Sequence, residues 1–322
     1  MRRIPLGTTG IEVTELFFGA GAIGGIGSAV STRGRGLSAD EGAARLDEAF
    51  ELGIRVVDTA NSYAGGESER VVGEWLRDRE GSSEVLVETK VGNLADPGQR
   101  DHDLSAAHIA RHLRVSRERL GRVDLYLSHV PDPSTPVEET LTAFAEARER
   151  GWIRAYGCCN VETADLEALL AAADRLGVPR PGWVQNRFNL VSRQDEHDLL
   201  PLVVAEGLGY TPYSPLEGGI LSDRYLGGAT PQPGSRIDVA GAMYADAFTP
   251  EVLARIGALA ELARERGVSV SGLALAWLRW HPSVTAPIVS PARAAQWTAV
   301  HEALALDPDE ELSERVGALF PL

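Results

Sequence analysis

Four side chains suited to acid–base chemistry follow apolar runs in the first half of this chain. Asp58 follows the apolar run 54–57, and Tyr63 stands five residues further on. Lys90 ends the run 85–90, and His129 follows the run 123–128. A phenol or an imidazole can pass a proton to a substrate, and a nearby carboxylate or ammonium alters how readily it does so. The residue types therefore predict a proton-transfer site, provided that the fold brings the four together.

The elements that must position these residues alternate between strands and helices. Ser38 and Glu41 have the spacing of a capping box, which predicts the start of the first helix, and Gly53 ends it. Apolar runs typical of buried strands are at 15–18, 54–58, 85–90, 123–128, 153–158, 183–187, 208–213 and 284–289. Segments with helical spacing of apolar residues lie between or after them, at 38–53, 67–79, 105–120, 137–150, 163–176, 194–206, 250–266, 270–280 and from 292 onward.

This alternation predicts a parallel sheet with helical crossovers. Eight units in 322 residues fit an α/β fold of the (β/α)8 TIM barrel type, and a doubly wound sheet is the alternative. The segments 3–6 and 11–14 predict a short N-terminal β-hairpin, and 214–249 predicts a long loop after the seventh barrel strand. We expect one barrel domain over residues 1–322. Because barrel enzymes carry their chemistry at the carboxyl ends of the strands, the four residues should converge on one pocket floor.

Composition narrows the possible partners. The formal net charge is −15, which disfavours nucleic acid or an anionic membrane surface as a partner but allows an anionic cofactor in a local positive pocket. No run approaches the ~18 apolar residues that a membrane span requires.

The only two cysteines, Cys158 and Cys159, are adjacent and cannot form a disulfide framework. We expect a cytoplasmic protein, with a monomer as the default and no metal site.

Several motifs together resemble those of the aldo-keto reductases. These are D-T-A-N-S-Y at 58–63, E-T-K-V at 88–91, Y-L-S-H-V-P-D at 126–132, G-C-C-N-V at 157–161, Q-N-R-F-N at 185–189, Y-S-P-L at 213–216 and V-S-P-A-R at 289–293. The run G-G-I-L-S-D-R-Y at 218–225 is similar to the corresponding run of bacterial reductases and channel-associated subunits. The resemblance spans the chain and places it near the aryl-alcohol dehydrogenase-like and channel beta-subunit-like members.

The resemblance implies carbonyl reduction with a nicotinamide cofactor and gives each of the four residues a role. Tyr63 would protonate the carbonyl oxygen, and Lys90 would help by lowering the tyrosine pKa from its usual value of about 10. Asp58 would keep the buried Lys90 charged, and His129 would orient the substrate oxygen. The substrate would be a small-molecule aldehyde or ketone.

The same resemblance implies a set of cofactor contacts. Tyr213 matches the aromatic residue that stacks on the nicotinamide, and Asn160 and Gln185 match the residues that bind its carboxamide. Arg293 matches the position that binds a 2′-phosphate, so we expect NADPH (as NADPH/NADP+) rather than NADH. The remaining predicted contacts are Gly19, Ala20, Cys159, Ser214, Pro215, Leu216, Gly218, Ser222, Arg224, Val289, Ser290, Gln296 and Trp297.

Four further patterns need separate interpretation. Residues 19–24 satisfy G-x-G-x-x-G, but no helix is predicted to open on them, so we interpret them as an active-site loop rather than a dinucleotide-binding turn. His108 and His112 have metal-ligand spacing on a helix but lack a third ligand, and we expect a solvated helix face. Cys158 and Cys159 could be an oxidation-sensitive pair. The acids Glu217 and Asp223 stand near the predicted pyrophosphate, where the family more often has glycine.

Two functions of different classes fit these residues. The first is an NADPH-dependent reductase, and the second is a regulatory or sensor protein that binds nicotinamide on the same barrel with little or no turnover. A metal-dependent hydrolase is a weaker third, because no ligand cluster is evident at the strand ends. Carbonyl turnover would separate the first two.

Overall fold

The structure is a computed structural model that describes residues 1–93 and 102–322. It begins with a predicted feature, an antiparallel hairpin of β1 (Arg3–Pro5) and β2 (Glu12–Thr14) in which Ile4 pairs with Val13. Leu6 and Val13 are fully buried and pack against Val56 and other residues at the amino-terminal ends of the barrel strands. The hairpin therefore covers the end of the barrel opposite the predicted site.

Eight parallel strands follow one another around the barrel in chain order. They are β3 (Phe17–Gly19), β4 (Val56–Asp58), β5 (Leu86–Val91), β6 (Leu125–Ser128), β7 (Ala155–Cys159), β8 (Trp183–Gln185), β9 (Gly209–Tyr210) and β10 (Ile288–Val289). β10 pairs with β3, and the ring closes where Thr285 N donates to Tyr210 O at 2.8 Å and Ile288 N donates to Pro212 O at 2.9 Å. The predicted (β/α)8 barrel is confirmed, and the sequential strand order excludes the doubly wound alternative.

Helices separate the strands and cover the barrel. They are α1 (Ala39–Leu52), α2 (Glu67–Asp78), α3 (Ala106–Leu120), α4 (Val137–Glu149), α5 (Thr163–Leu176), α6 (Leu199–Ala205), α7 (Arg236–Ala240), α8 (Pro250–Glu265), α9 (Val270–Trp280), α10 (Trp297–Ala305) and α11 (Glu310–Ala318). The predicted capping box is present, since Glu41 N donates to Ser38 Oγ and Ser38 N to Glu41 Oε2. Gly53 ends α1 with a φ of 97°, which favours glycine.

Two predicted boundaries differ from the structure for local reasons. The helix expected at 194–206 begins only at Leu199, because residues 194–196 form a 3-10 turn. The Arg193 guanidinium stabilises this turn by donating hydrogen bonds to the Glu196 carboxylate. Pro201 then lies in the first turn of α6, where its missing N–H breaks no helical hydrogen bond. The strand expected at 208–213 is shorter as well, because β9 spans only Gly209–Tyr210.

The long segment 214–249 is more ordered than a plain loop. It contains α7 and three 3-10 turns, and its Ile220, Tyr225 and Tyr244 side chains are buried. Asp223 Oδ2 accepts from Val270 N at 3.2 Å, so this acid caps the amino terminus of α9, where the helix dipole favours a negative charge. Asp223 therefore has a structural role in the fold, and its position relative to a pyrophosphate stays a prediction.

The two helical histidines are buried, so the expectation of a solvated face is wrong. Exposed fractions are only 7% for His108 and 6% for His112, and their rings stack with centroids 4.1 Å apart. Asn61 Nδ2 lies 2.9 Å from His112 Nδ1, which ties α3 to the loop after β4. Across residues 1–93 and 102–322, no group of three or more metal-ligating side chains is found. In the same residues, no helix has the length and apolarity to cross a bilayer.

Candidate active site

Three consecutive strands deliver the acid–base residues to the carboxyl-terminal end of the barrel. Asp58 is the last residue of β4, Lys90 is the penultimate residue of β5, and His129 directly follows β6. Tyr63 opens the 3-10 turn 63–66 that follows β4. The structure therefore brings the four predicted residues to one end of the barrel, as parallel strands in neighbouring positions require.

Lys90 is the centre of this group. Its ammonium lies 2.5 Å from Asp58 Oδ2, donates to Thr59 O at 2.9 Å and donates to Tyr63 Oη at 3.1 Å. The Lys90 side chain is fully buried, and burial alone would lower its pKa. The negative charge of Asp58, helped by Tyr63, outweighs burial and raises the pKa of Lys90 above its usual value. Lys90 therefore stays charged inside the barrel.

Tyr63 remains a protonated phenol. Burial raises its pKa to about 12, although Lys90 acts in the opposite direction, and Asp58 adds to the increase. Lys90 lowers the tyrosine pKa as expected, but desolvation outweighs this effect, so the pKa of Tyr63 lies above its usual value rather than below it. The phenol is fully available as a hydrogen-bond and proton donor at neutral pH.

The Tyr63 ring is fixed by close neighbours. A Cβ atom on Gly21 would lie only 3.3 Å from Tyr63 Cε2, so the absence of a side chain at this position lets the glycine loop approach the ring. No helix opens on this loop, since α1 starts only at Ala39, which excludes the dinucleotide-binding alternative for residues 19–24. Gly21 lies in the predicted active-site loop but was not among the predicted contact residues.

His129 lies beside Tyr63 with its ring nearly perpendicular, at a centroid distance of 5.6 Å. Burial lowers its pKa well below the usual value, and Lys90 and His102 act in the same direction. The imidazole is therefore neutral at neutral pH and offers one N–H and one acceptor nitrogen. Ser62 Oγ lies 3.5 Å from Nδ1, which leaves Nε2 as the nitrogen without a described partner.

A second buried carboxylate, Glu88, adjoins this group. It is fully buried on β5, two residues before Lys90, and its Cα pairs in register with that of Asp58. Gln185 Nε2 donates to Glu88 Oε1 at 2.7 Å and to Asp58 Oδ2 at 3.2 Å. The strand period of two was the signal that could have found Glu88, because residues two apart on a strand share a face.

The predicted carboxamide contacts are connected to the acid–base group. Asn160 Nδ2 donates to His129 O at 2.8 Å, and Tyr213 Oη donates to Asn160 Oδ1 at 2.7 Å. Gln185 donates hydrogen bonds from its amide nitrogen to the carboxyl groups of Asp58 and Glu88, and its amide oxygen lies 3.8 Å from Cys159 Sγ. A nicotinamide carboxamide that binds Gln185 would have to share it with Asp58. The contacts of these residues to a cofactor stay predictions.

The cysteine pair lies in the interior beside this network. Both side chains are free thiols and almost fully buried. Burial raises the pKa of Cys158 to about 12 and raises that of Cys159 as well, although Lys90 opposes the change at Cys159. The thiolate, which is the reactive form, is therefore disfavoured at neutral pH.

The loop after β9 has a backbone suited to an anion. Ser214, Glu217 and Gly218 have φ values of 53°, 49° and 65°. Asn189 Nδ2 fixes this loop by donating to Ser214 O at 2.9 Å, and Ser222 Oγ donates to Gly219 O at 2.6 Å. Left-handed backbone in such runs can turn several N–H groups toward one side and form an anion-binding concavity. The other predicted loop contacts are all partly exposed: Pro215, Leu216 and Arg224.

Glu217 anchors this loop through contacts within the protein. Its carboxylate is fully buried and forms an ion pair with Arg187. Asn189 Nδ2 donates to Glu217 Oε2 at 2.5 Å, and Ser192 Oγ donates to the same oxygen at 3.3 Å. Both oxygens are thus satisfied from the segment after β8. Arg187, whose side chain is 33% exposed, is a further residue that motif matching did not assign.

The predicted contacts around β3 and β10 divide into buried and exposed sets. Gly19, Ala20 and Val289 are buried, and Ser290 Oγ donates to Gly19 O at 2.6 Å, which joins the two strands at the mouth. Arg293 is exposed, and no carboxylate of the described residues pairs with it. Gln296 Oε1 accepts from Arg293 N at 2.9 Å and so shapes the segment that carries the guanidinium. An exposed, unpaired cation fits a phosphate group.

Trp297 has a different environment from the one expected of an adenine contact. It is 6% exposed, stacks on Phe18 with ring centroids 6.3 Å apart, and donates from Nε1 to Glu48 Oε2 at 2.5 Å. The indole therefore belongs to the packing between α10 and the barrel. A direct contact of Trp297 with an adenine stays a prediction.

Comparison with known proteins agrees with this geometry. The model of the family described as "Aldo/keto reductase family" matches residues 15–318. The chain belongs to the aldo/keto reductase family. Within the family it is 31% identical over 297 residues to a probable voltage-gated potassium channel subunit beta of Arabidopsis thaliana, an alignment that covers 90% of this chain and 87% of the relative.

Two bacterial members of the family are also similar. An uncharacterized oxidoreductase of Bacillus subtilis is 30% identical over 329 residues, covering 98% of this chain and 95% of that protein. An NADH-specific methylglyoxal reductase of Escherichia coli is 33% identical over 237 residues, covering 69% of each chain. The aldo/keto reductase assignment supports an oxidoreductase that uses a nicotinamide cofactor. The relatives differ among themselves in the activity that their names describe.

Proposed function

We propose that this aldo/keto reductase reduces an aldehyde or ketone to an alcohol with NADPH. The observation that carries the proposal is the contact of the Tyr63 hydroxyl with a buried, charged Lys90 that is paired with Asp58. Bound NADPH would supply the hydride. Tyr63 donates its proton to the carbonyl oxygen, and Lys90 stabilises the phenolate that remains. The neutral His129 donates a hydrogen bond to the same oxygen and orients it.

Positioning explains why the site would favour proton donation to a bound carbonyl. The Tyr63 and His129 rings are held side by side at 5.6 Å, so a carbonyl oxygen placed between them can reach both polar tips. Tyr63 stays protonated before the substrate binds, because its pKa is raised to about 12. Preorganised donors of this kind stabilise charge that develops in the transition state.

The experiment that tests this function is a fluorescence titration of the purified protein with NADPH and with NADH, followed by a panel of aldehydes and ketones. We expect saturable NADPH binding and cofactor oxidation with at least one carbonyl. Failure to bind either nicotinamide would overturn the proposal. Because the net charge is −15, we expect no competition from added nucleic acid.

The coenzyme preference rests on Arg293. Its exposed guanidinium, free of a described carboxylate partner, suits the 2′-phosphate that distinguishes NADPH from NADH. Arg293→Ala should weaken NADPH by about 1.5–3 kcal/mol, which is the contribution of a charge-assisted hydrogen bond, and should weaken NADH much less. Equal losses for the two coenzymes would show that the 2′-phosphate is bound elsewhere. The named activity of the E. coli relative makes NADH the alternative to test beside it.

A regulatory role is the second candidate. It is favoured by the similarity to proteins named as probable potassium channel beta subunits in two plants, with 31% and 32% identity. On this alternative the protein binds nicotinamide and attaches to a partner without sustained turnover. Binding of NADPH with no oxidation on any carbonyl of the panel would favour it. We retain a cytoplasmic, monomeric protein as the expectation to check by fractionation and by light scattering.

A further inference from the structure

Glu88 is a buried acid for which the reduction described above has no use. It is fully enclosed inside the barrel, and no donor among the described residues reaches its Oε2 atom. Buried carboxylate oxygens without a donor are rare, because a charged oxygen that has lost water must be compensated. An oxygen that carries a proton needs no donor, since it can act as one.

The groups that act on Glu88 lie on β4, β5, β7 and β8 of the barrel. Asp58 on β4 is within hydrogen-bonding reach of the Glu88 carboxyl, and Gln185 on β8 donates to Oε1 at 2.7 Å. Lys90 on β5 acts on it as a cation, and Cys159 on β7 is a neutral thiol because burial raises its pKa. The strand on the other side, β6, contributes Leu125 in register.

These neighbours leave one positive charge for two carboxyl groups. Lys90 lies 2.5 Å from Asp58, so its charge is already matched by that carboxylate. If Glu88 were ionised as well, the barrel interior would hold a surplus negative charge at a cost of several kcal/mol. Two carboxyl groups that share one site avoid this cost by retaining one proton between them.

We propose that Glu88 is a positioning residue of this site, present as a neutral carboxylic acid that donates a hydrogen bond from Oε2 to Asp58. In this arrangement Asp58 keeps a single negative charge as the counter-ion of Lys90. Gln185 completes the link by donating to both carboxyl groups at 3.2 Å and 2.7 Å. The burial of Glu88 and the charge of Asp58 raise the pKa of Glu88 well above its usual value, which agrees with this geometry.

Glu88 would act on the reaction through Asp58 and Lys90, and this part of the inference rests on the proposed reductase function. Its hydrogen bond stabilises the charged form of Asp58, and the Asp58 carboxylate in turn holds the ammonium that contacts Tyr63 at 3.1 Å. Loss of the donor would remove a hydrogen bond from the Asp58 carboxylate and weaken its hold on Lys90. The effect should appear in kcat and in its pH profile rather than in KM.

The experiment compares Glu88→Gln with Glu88→Leu in the full-length protein. A glutamine has the shape of the neutral acid and can donate to Asp58 while it accepts from Gln185, whereas a leucine can do neither. If the proposal is right, the infrared spectrum of the wild-type protein at neutral pH contains a protonated-carboxyl band that Glu88→Gln removes. Glu217→Gln, which removes another fully buried carboxylate, is the matched control and should leave that band in place. A wild-type spectrum without the band, or a band unchanged in Glu88→Gln, would overturn the proposal.

Unfolding measurements give a second test that needs no activity. A carboxyl group whose pKa is raised in the folded state binds more protons there than in the unfolded chain, so its contribution to stability falls as pH rises above the unfolded value of about 4.3. The ratio of the wild-type unfolding constant to that of Glu88→Gln should therefore increase by up to about tenfold per pH unit between about pH 5 and the folded-state pKa. A ratio independent of pH would contradict the neutral acid.

Turnover provides the third readout. Glu88→Leu should lower kcat at least about tenfold more than Glu88→Gln does, as expected for one hydrogen bond to a charged group, with little change in KM. Equal losses in the two variants would contradict a donor role for Glu88. If the wild-type protein proves to have no reductase activity, the infrared and unfolding tests still decide the state of Glu88, so the two failures can be told apart.

Discussion

Two buried ion pairs lie at the mouth of the barrel, and they are built differently. Asp58 and Lys90 are held by adjacent strands, and a second carboxyl group, that of Glu88, lies beside them. Glu217 and Arg187 join the loop after β9 to the segment after β8. The second pair has donors on both carboxylate oxygens, and its arginine is 33% exposed.

The difference in charge balance and hydrogen bonding indicates a different role for each ion pair. The loop pair is balanced in charge and hydrogen bonds, which is typical of a group that fixes a structure. The strand pair has a second carboxyl group, that of Glu88, beside it, and its Lys90 ammonium contacts the Tyr63 phenol. Such an arrangement is typical of a site that controls proton transfer. We therefore expect changes in the strand pair to affect chemistry and changes in the loop pair to affect cofactor exchange.

The largest effect is expected from removing the proton donor of the strand group. Tyr63→Phe should reduce carbonyl turnover by about 10²–10⁴-fold, because a positioned general acid contributes an effect of this size. NADPH binding, measured by fluorescence, should be retained. Near-normal turnover in this variant would remove Tyr63 as the acid and leave the strand pair without a role in chemistry.

Breaking the strand pair should also reduce stability. Lys90→Met leaves Asp58 buried without its cation, and we expect a loss of about 3–5 kcal/mol in the free energy of unfolding, measured with denaturant. The double variant Asp58→Asn with Lys90→Met removes the unpaired buried charge of Asp58 and should be more stable than Lys90→Met alone. If the double variant is the less stable of the two, the cost lies in packing rather than in charge.

The loop pair should give a smaller effect, because water can solvate the partly exposed Arg187. Glu217→Gln replaces an oxygen that accepts from Asn189 and Arg187 by a donor, and we expect a loss of about 1.5–3 kcal/mol in unfolding free energy. NADPH should dissociate faster, as followed by stopped-flow fluorescence. Glu217→Gly is the control for backbone strain, since a φ of 49° costs a non-glycine residue about 1–2 kcal/mol. An unchanged dissociation rate would separate the loop pair from the cofactor.

The pH dependence of Tyr63 should be invisible at neutral pH. With a pKa of about 12, Tyr63 stays protonated until well above pH 10, so the ultraviolet difference between wild type and Tyr63→Phe should show little phenolate at pH 10. Because this pKa is raised on folding, the tyrosine contributes less to stability as pH rises above its unfolded value of about 10. Phenolate absorbance near pH 9 would show that Lys90 outweighs burial after all.

Sequence patterns predicted more of the fold than of the site. The alternation of apolar strand segments with helical segments was sufficient to predict the eight strands, and the spacing of Ser38 and Glu41 predicted the capping box. Both signals are local properties of the sequence. The end of β9 and the start of α6 were misplaced. At the start of α6, Arg193 binds Glu196 and also donates to Gly317 O and Phe320 O, and the last two contacts exist only in the folded chain. The burial of His108 and His112 was missed for the same reason.

The amino-acid sequence by itself determined the barrel and the order in which Asp58, Tyr63, Lys90 and His129 meet, since parallel strands place successive strand ends side by side. Only the tertiary structure decided the charge states. Desolvation, which depends on atoms distant in the chain, raises the pKa of Tyr63 against the pull of Lys90. The packing of the barrel interior also leaves Glu88 Oε2 without a hydrogen-bond donor, and no local sequence pattern predicts this feature.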